Sequence, residues 1–413
     1  MEEIIWTMHF SGVRDILALT GDAPIYARRV YDLDSVSLVQ MLKDMNHGLK
    51  DTRGKGVELR KTEFDIGVAV NPFKFSEAEL MPQYYKLWKK IQAGAQYIIP
   101  QLGYDARKVD ELHKIMKAWD MKIPVFGNVF LLNKGTARWF HKGNVPGVLI
   151  SDELLEITQD KDIDYFVEFA AKQMAIEVGL GAKGIHLGGT YSVEKIIKII
   201  ELYKSYGKDD WKYFVKDINY SLPGQFFLFE EDEYGINTNE FNPDYIEGLK
   251  DSLPFSHRIN SFVHTMLFTG AGFNMMKNIY TWLEKHPKLD SIAHVSERVI
   301  KTIMYGCRDC GDCTLPEREY LCVMDDCAKG LRNGPCGGSI YDKCEVIPSM
   351  DCLFVKEYKL RKTQDTREGM MKQPVIVGNP RLDGTSGWAN YFMGRDHATA
   401  KEIIDGGLAL KED

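Results

Sequence analysis

Ile66-Gly-Val-Ala-Val70 is an unbroken apolar run followed by an amphipathic stretch from Glu79 to Ala93, and Tyr97-Ile-Ile99 then opens the same alternation again, leading into Asp105 to Trp119. In the last of these, Val109, Leu112, Ile115 and Met116 recur at helical spacing, so each pair reads as a strand and then a helix. The pattern extends both ways. Upstream, Ile16-Leu-Ala-Leu19 precedes Leu33, Val36, Val39 and Leu42 on one helical face, and Met1 to His9 read as the tail of a helix. Downstream, Ile123-Pro-Val-Phe126 precedes Gly- and Asn-rich connections and a helix from about Ile163 to Val178, and Gly184-Ile-His-Leu187 precedes Val193 to Tyr203. Continuous apolar strands between helices imply a parallel sheet covered by helices. Five such units without a reversal predict an α/β fold of (β/α)8 TIM-barrel type rather than an open doubly wound sheet.

Polar residues follow these strands: Asp22, Asn71, Gln101 and Asn128, with His186 at the end of the fifth. In a barrel the C-terminal strand ends converge on one face, where active sites are built. Each residue taken singly also reads as a cap for the next helix. Gln101, held between Pro100 and Leu102, fits that alternative least well, and five in register favour a site.

The chain has 413 residues, 44% hydrophobic and 27% charged, with a net charge of -7. That length accommodates more than one domain. Lys and Arg are interspersed with Asp and Glu and form no basic stripe, which argues against a nucleic-acid platform. Met1-Glu-Glu-Ile-Ile-Trp lacks the basic flank and apolar core of a signal peptide, and no run is long and apolar enough to span a membrane, so a cytoplasmic protein is expected. Residues 1–205 are read as the barrel-type domain, 206–255 as a turn-rich linker containing Glu230-Glu-Asp-Glu233, and 256–413 as a helical, cysteine-rich domain. In the last, Met276, Ile279 and Leu283 share one helical face, and Ile292, Val295, Val299 and Ile303 share another; these helices are expected to dock between the barrel and the cysteines. Met275 and Met276 are read as core.

All eight cysteines lie between Cys307 and Cys352: Cys307, Cys310, Cys313, Cys322, Cys327, Cys336, Cys344 and Cys352. In a reducing compartment they are poor candidates for disulfides, and the two-residue spacers of Cys307, Cys310 and Cys313 let three sulfurs face one centre from a single loop. Eight thiolates would satisfy two four-coordinate groups. Iron-sulfur clusters, with [4Fe-4S] as the type, and structural zinc are both compatible, because the Cys-Pro expected three residues after a ferredoxin-type opening is replaced by a longer loop to Cys322. Glycines around Cys336 would let backbone N–H groups approach sulfur.

Three stretches, Gly12-Val-Arg-Asp-Ile-Leu-Ala-Leu-Thr-Gly-Asp22, Phe64-Asp-Ile-Gly-Val-Ala69 and Ala93-Gly-Ala-Gln-Tyr-Ile-Ile-Pro-Gln101, resemble successive strand motifs of the methylenetetrahydrofolate reductase family of flavin-dependent barrel enzymes. Gly306-Cys-Arg-Asp-Cys-Gly-Asp-Cys313 and Lys329-Gly-Leu-Arg-Asn-Gly-Pro-Cys-Gly-Gly338 resemble the cysteine-rich domain associated with such reductases. The resemblance implies reduction of 5,10-methylenetetrahydrofolate with FAD or FMN, and electrons from ferredoxin, another oxidoreductase subunit or NAD(P)H. It implies that Asp22 tunes hydride transfer and favours the folate iminium, and that Gln101 hydrogen-bonds the pterin-like ring. Thr20, Gly21, Asp22, Tyr31, Asp34 and the backbone at Ala69 would line the flavin, with Lys90 near its phosphate. Read without the resemblance, Lys89 and Lys90 are a solvated helix face.

The family's barrel opens with three further strands, including its catalytic Glu, and nothing before Ile16 corresponds to them. Asn71 and Phe73 stand where bacterial relatives have Tyr and Glu, and no Arg follows His186-Leu-Gly-Gly189 before Arg258. The expectation is therefore an N-terminally shortened enzyme or one completed by a partner reductase chain. The competing readings are a non-catalytic electron-transfer or scaffold subunit and a zinc-stabilised reductase fed directly by NAD(P)H.

Overall fold

The computed structural model describes residues 1–23, 33–49, 58–247 and 252–397. In chain order the elements are α1 (Glu2–Phe10), β1 (Asp15–Ala18), α2 (Ser35–His47), β2 (Asp65–Val70), α3 (Glu77–Ala93), β3 (Tyr97–Pro100), α4 (Ala106–Ala118) and β4 (Phe126–Phe130). Then come α5 (Lys134–His141), α6 (Asp152–Asp160), α7 (Ile163–Leu180), β5 (Gly184–Gly188), α8 (Val193–Ser205), α9 (Trp211–Phe214), β6 (Phe229–Glu231), β7 (Asn237–Phe241) and α10 (Pro243–Ile246). The C-terminal part holds α11 (Phe255–Phe268), α12 (Gly270–Leu283), α13 (Pro287–Tyr305), α14 (Val323–Asp326), α15 (Leu353–Thr363), α16 (Gly369–Lys372) and α17 (Gly387–Phe392).

Strands β1, β2 and β3 pair in parallel, in that order, and β4 pairs in parallel with β5 from Phe126↔Gly184 to Phe130↔Gly188. A parallel bridge between Ile98 and Val125, with the Ile98 N–H donating to Pro124 O at 2.9 Å, joins the two groups. The five strands therefore follow one another in chain order without reversal, the winding of a barrel. Among the described residues the outer edges of β1 and β5 have no strand partner. The fourth strand begins at Phe126 rather than at Ile123, because Pro124 has no N–H to give to a ladder. Asn128 accordingly lies within β4, and His186, its register partner, lies in the middle of β5 rather than at its end.

Helix α3 shows why the sheet and the C-terminal domain form one body. Ser76 caps its start, accepting from the Glu79 N–H at 3.2 Å while the Glu79 side chain reaches back to the Ser76 N–H. One face, with Leu80, Met81 and Leu87, is fully buried, each such side chain contributing about 1.5–3 kcal/mol. The other face is covered by α15 and α16. Lys89 and Lys90 are consequently buried, not a solvated face. Helices α11 to α13 pack on one another and on α17 around Tyr280, Ala389 and Phe392, a core separate from the one beneath the sheet; the barrel is gripped by α15 and α16, not by these helices as their sequence position had implied.

Within the segment 206–255 read as a linker, the described residues 228–241 pack onto α4. Arg107 donates to Asn237 Oδ1 at 3.0 Å and Phe229 O at 2.9 Å, and the buried Glu111 accepts from Lys108 Nζ at 3.1 Å and the Leu228 N–H at 2.5 Å. A short β6–β7 hairpin results. Residues 134–141 and 152–160, within the supposed connections, are helices capped by Asn133 and Ser151.

Candidate active site

A cavity of about 330 Å3 opens at the C-terminal ends of the parallel strands. Thr20, Gly21 and Asp22 from the loop after β1, Asn71 after β2, Gln101 after β3, Asn128 on β4 and His186 on β5 all line it. The five polar positions expected from the strand pattern thus converge on one space. Asp22 is exposed at the site, and the Thr20 hydroxyl, 3.3 Å from the Ser35 N–H and Oγ, ties that loop to the start of α2.

Several of these side chains are already positioned by neighbours. Asn128 Nδ2 donates to Pro100 O at 2.9 Å, leaving its Oδ1 to accept from His186 Nδ1 at 3.1 Å, which leaves Nε2 of a neutral His186 as the acceptor nitrogen. Gln101 accepts from the Leu102 N–H at 3.0 Å and reaches Pro146 O at 3.4 Å. Lys90, on α3, donates to Ala69 O at 2.6 Å. Burial and then the charge of Lys86 bring the Lys90 ammonium down to about 7. Asp34 does not line the cavity: its Oδ1 caps α2 by accepting from Val36 N at 2.9 Å, and its Oδ2 accepts from Asn333 N at 3.0 Å. Burial opposes its ionisation, but Lys86 and the hydrogen bonds from Ser37 and Asn333 outweigh burial and hold the carboxyl below its usual range. Tyr31 lies outside the described residues.

The roof of the cavity comes from the cysteine-rich domain, through Lys329, Pro335, Cys336, Gly337, Gly338 and Glu345. The barrel grips this loop by its carbonyls. Lys74 Nζ donates to Gly337 O at 2.7 Å and Ser339 O at 2.6 Å, and Lys86 Nζ to Gly334 O at 3.1 Å and Pro335 O at 3.0 Å. Gln83 Nε2 donates to Cys336 O at 2.7 Å, and Asn71 Nδ2 bridges Gly147 O at 2.8 Å and Gly337 O at 2.9 Å. Side chains have no room where these backbones meet: a Cβ at Gly147, whose φ is +77°, would lie 2.2 Å from Gly337 O. None of these lysines was legible as functional, because a lysine aimed at distant carbonyls leaves no local pattern.

The eight cysteines divide by chain order. Cys307, Cys310, Cys313 and Cys322 line one small hollow, and Cys327, Cys336, Cys344 and Cys352 line another. Backbone N–H groups point at the sulfurs: Asp309 to Cys307 at 3.4 Å, Leu315 to Cys313, Met324 and Asp325 to Cys322, and Lys329, Gly330 and Leu331 to Cys327. Gly338 serves Cys336, and Phe354 and Val355 serve Cys352. Such donors stabilise thiolate charge. Burial nevertheless pushes the free thiols of Cys322 and Cys336 up to about 11. Among the described residues no three His, Cys, Asp or Glu side chains converge where a single metal ion could sit.

A parallel βα sheet of barrel winding, with a polar cavity at its strand ends and a thiol-rich domain for a roof, defines a barrel-type enzyme. Residues 1–204 match the family model described as methylenetetrahydrofolate reductase, and residues 286–378 match that described as methylene-tetrahydrofolate reductase C terminal. The chain belongs to the methylenetetrahydrofolate reductase family and joins a region of the reductase model to that C-terminal region; it is an oxidoreductase of this class. A solved structure of an uncharacterized protein from Clostridium thermocellum that binds two copies of 5-methyl-5,6,7,8-tetrahydrofolic acid is 14% identical, with a TM-score of 0.32 over 46% of this chain and 71% of that one, a likeness too slight to bear on fold or ligand. No described helix is long and apolar enough to cross a membrane.

Proposed function

We propose that this chain reduces 5,10-methylenetetrahydrofolate to 5-methyltetrahydrofolate in the cavity at its strand ends, using a flavin, FAD or FMN, supplied with electrons through two iron-sulfur centres of the [4Fe-4S] type. The observation that carries this reading is that Cys336 lines both the cavity and the second four-thiol hollow, so the redox domain and the folate site share a wall. The flavin would supply the hydride and the clusters one-electron transfer. Everything else falls to side chains of this chain. Asp22 holds negative charge beside the cationic iminium form of the folate, Gln101 offers donor and acceptor to the pterin, and Lys90, whose ammonium form a nearby anion would favour, is offered to a flavin phosphate.

Cys307, Cys310, Cys313 and Cys322 would hold one centre, and Cys327, Cys336, Cys344 and Cys352 the other. Four thiols at each hollow match the ligand set of one cluster or one structural zinc, and the Cys307-x2-Cys310-x2-Cys313 spacing, which opens like a ferredoxin-type run, favours the cluster. Electrons would come from ferredoxin or another oxidoreductase subunit. Anaerobic purification with flavin, iron and zinc quantitation tests the proposal. Flavin with about eight iron per chain supports it; zinc without iron, together with folate reduction by NAD(P)H, would replace the electron route, and clusters without flavin would make the chain an electron-transfer subunit.

A further inference from the structure

A second large cavity, of about 340 Å3, lies apart from the folate site, between α11, α13 and α17. Val263, Ile300 and Met304 form exposed parts of its wall, and Phe268, Tyr305 and Trp388 supply aromatic surface. Cys313 belongs to this wall as well as to the first four-thiol hollow. The size is that of a small-molecule pocket. Lys301, its one cationic lining residue, is neutralised by Glu297 at 2.6 Å, so the cavity offers nothing to a phosphate or carboxylate. His264 adds a specific feature. Its ring stacks on Phe268, 5.4 Å between centroids and 11° from parallel, and its Nε2 is buried without a hydrogen-bond partner. An orphaned ring nitrogen beside an apolar cavity is a cost that a ligand atom would remove.

We propose that this cavity binds a flat, uncharged aromatic ring system with a carbonyl at its edge, of the quinone or isoalloxazine type. The ring lies among Phe268, Tyr305 and Trp388, and its carbonyl accepts a hydrogen bond from His264 Nε2. A peptide helix would fit the apolar wall but would bring no carbonyl to the imidazole, since helical carbonyls are already paired. The site is independent of the reaction proposed above, and its test is binding rather than turnover.

The anaerobically purified protein is titrated with 2-methyl-1,4-naphthoquinone and, separately, with lumiflavin, a ring without phosphate, by calorimetry. One of the two should bind at one equivalent beyond any flavin already held, and the tighter one identifies the ring class. Val263→Trp, at a partly exposed position, should fill the cavity and abolish that equivalent. His264→Phe keeps the stacking and should weaken binding about tenfold, one hydrogen bond's worth. Circular dichroism checks that both variants fold. The proposal is overturned if neither ring binds, if binding survives both substitutions, or if Val263→Trp merely changes the oligomeric state of a protein that binds no ring.

Discussion

The ammonium of Lys329 donates a hydrogen bond to the carbonyl oxygen of Gly21, 2.7 Å away, and is ion-paired with Glu345. Gly21 precedes Asp22 on the rim of the cavity, and Lys329 lies two residues beyond Cys327, so one side chain ties the cavity loop after β1 to the second thiol hollow. Both partners of the ion pair are almost completely buried. Lys329→Met should therefore leave a buried carboxylate uncompensated and destabilise the protein by about 3–5 kcal/mol. Lys329→Met combined with Glu345→Leu should recover most of that loss. Denaturant midpoints of the three proteins decide it; a single variant as stable as the parent would mean that Glu345 finds another cation.

Replacing Asp22 by Asn preserves shape and removes charge. Since Asp22 is exposed at the cavity and, among the described residues, makes no contact of the kind that fixes Asp34, the variant should fold and hold flavin normally. Its folate half-reaction should slow by about 100-fold, the scale of losing one electrostatic partner in a transition state. Gln101→Ala should instead raise the folate KM with little effect on flavin reduction by an artificial donor. Equal losses in both half-reactions would assign Gln101 to the flavin or to the fold.

The strands were legible because burial on both faces requires continuous apolar runs such as Ile66 to Val70, and their polar ends were legible because a barrel gathers them. Two kinds of feature were not. Helices α5 and α6 hid behind Asn133, Gly135, Gly143 and Asn144, which read as loop punctuation although Asn133 is in fact a helix cap. The roof could not be read either: Lys74 and Lys86 meet residues 334–339 across roughly 250 positions of chain, and helical periodicity carries no record of a partner so distant. Asp34 marks the boundary between the two kinds. Its position before Ser35 reads equally as a cap or as a ligand contact, and only the fold shows both its oxygens engaged by protein.

Glu177 gives a pH signature to the barrel. It is buried in α7 beside β4, its Oε2 has no hydrogen-bond partner, and burial alone raises its pKa from 4.5 to about 8. The folded state therefore retains a proton that the unfolded chain releases above pH 4.5. This contribution to stability is fully present below 4.5 and is lost as pH rises to about 8, amounting to about 5 kcal/mol over that window at about 1.4 kcal/mol per unit. Glu177→Gln should abolish this part of the pH dependence and be the more stable protein at pH 8. Denaturant unfolding of both proteins at pH 5, 6.5 and 8 measures it, and parallel curves would show that Glu177 ionises in the fold at little cost.

Single substitutions distinguish the two thiol hollows. Because Cys307, Cys310, Cys313 and Cys322 line one space and Cys327, Cys336, Cys344 and Cys352 another, loss of one thiol should disable one centre and spare the other. Cys310→Ser should remove about half of the iron and half of the broad visible absorption, while leaving flavin content unchanged, since Cys310 lies in the hollow that does not border the cavity at the strand ends. Cys336→Ser should cost the same amount of iron but also loosen flavin binding, because that residue lines the cavity and its carbonyl is held by Gln83 at 2.7 Å. The difference between the variants is the informative quantity. If Cys310→Ser and Cys336→Ser lost iron and flavin identically, the two hollows would be parts of a single centre and the shared wall at Cys336 would have no bearing on electron delivery. If neither lost iron but each lost about one zinc per chain, the thiols would be structural ligands.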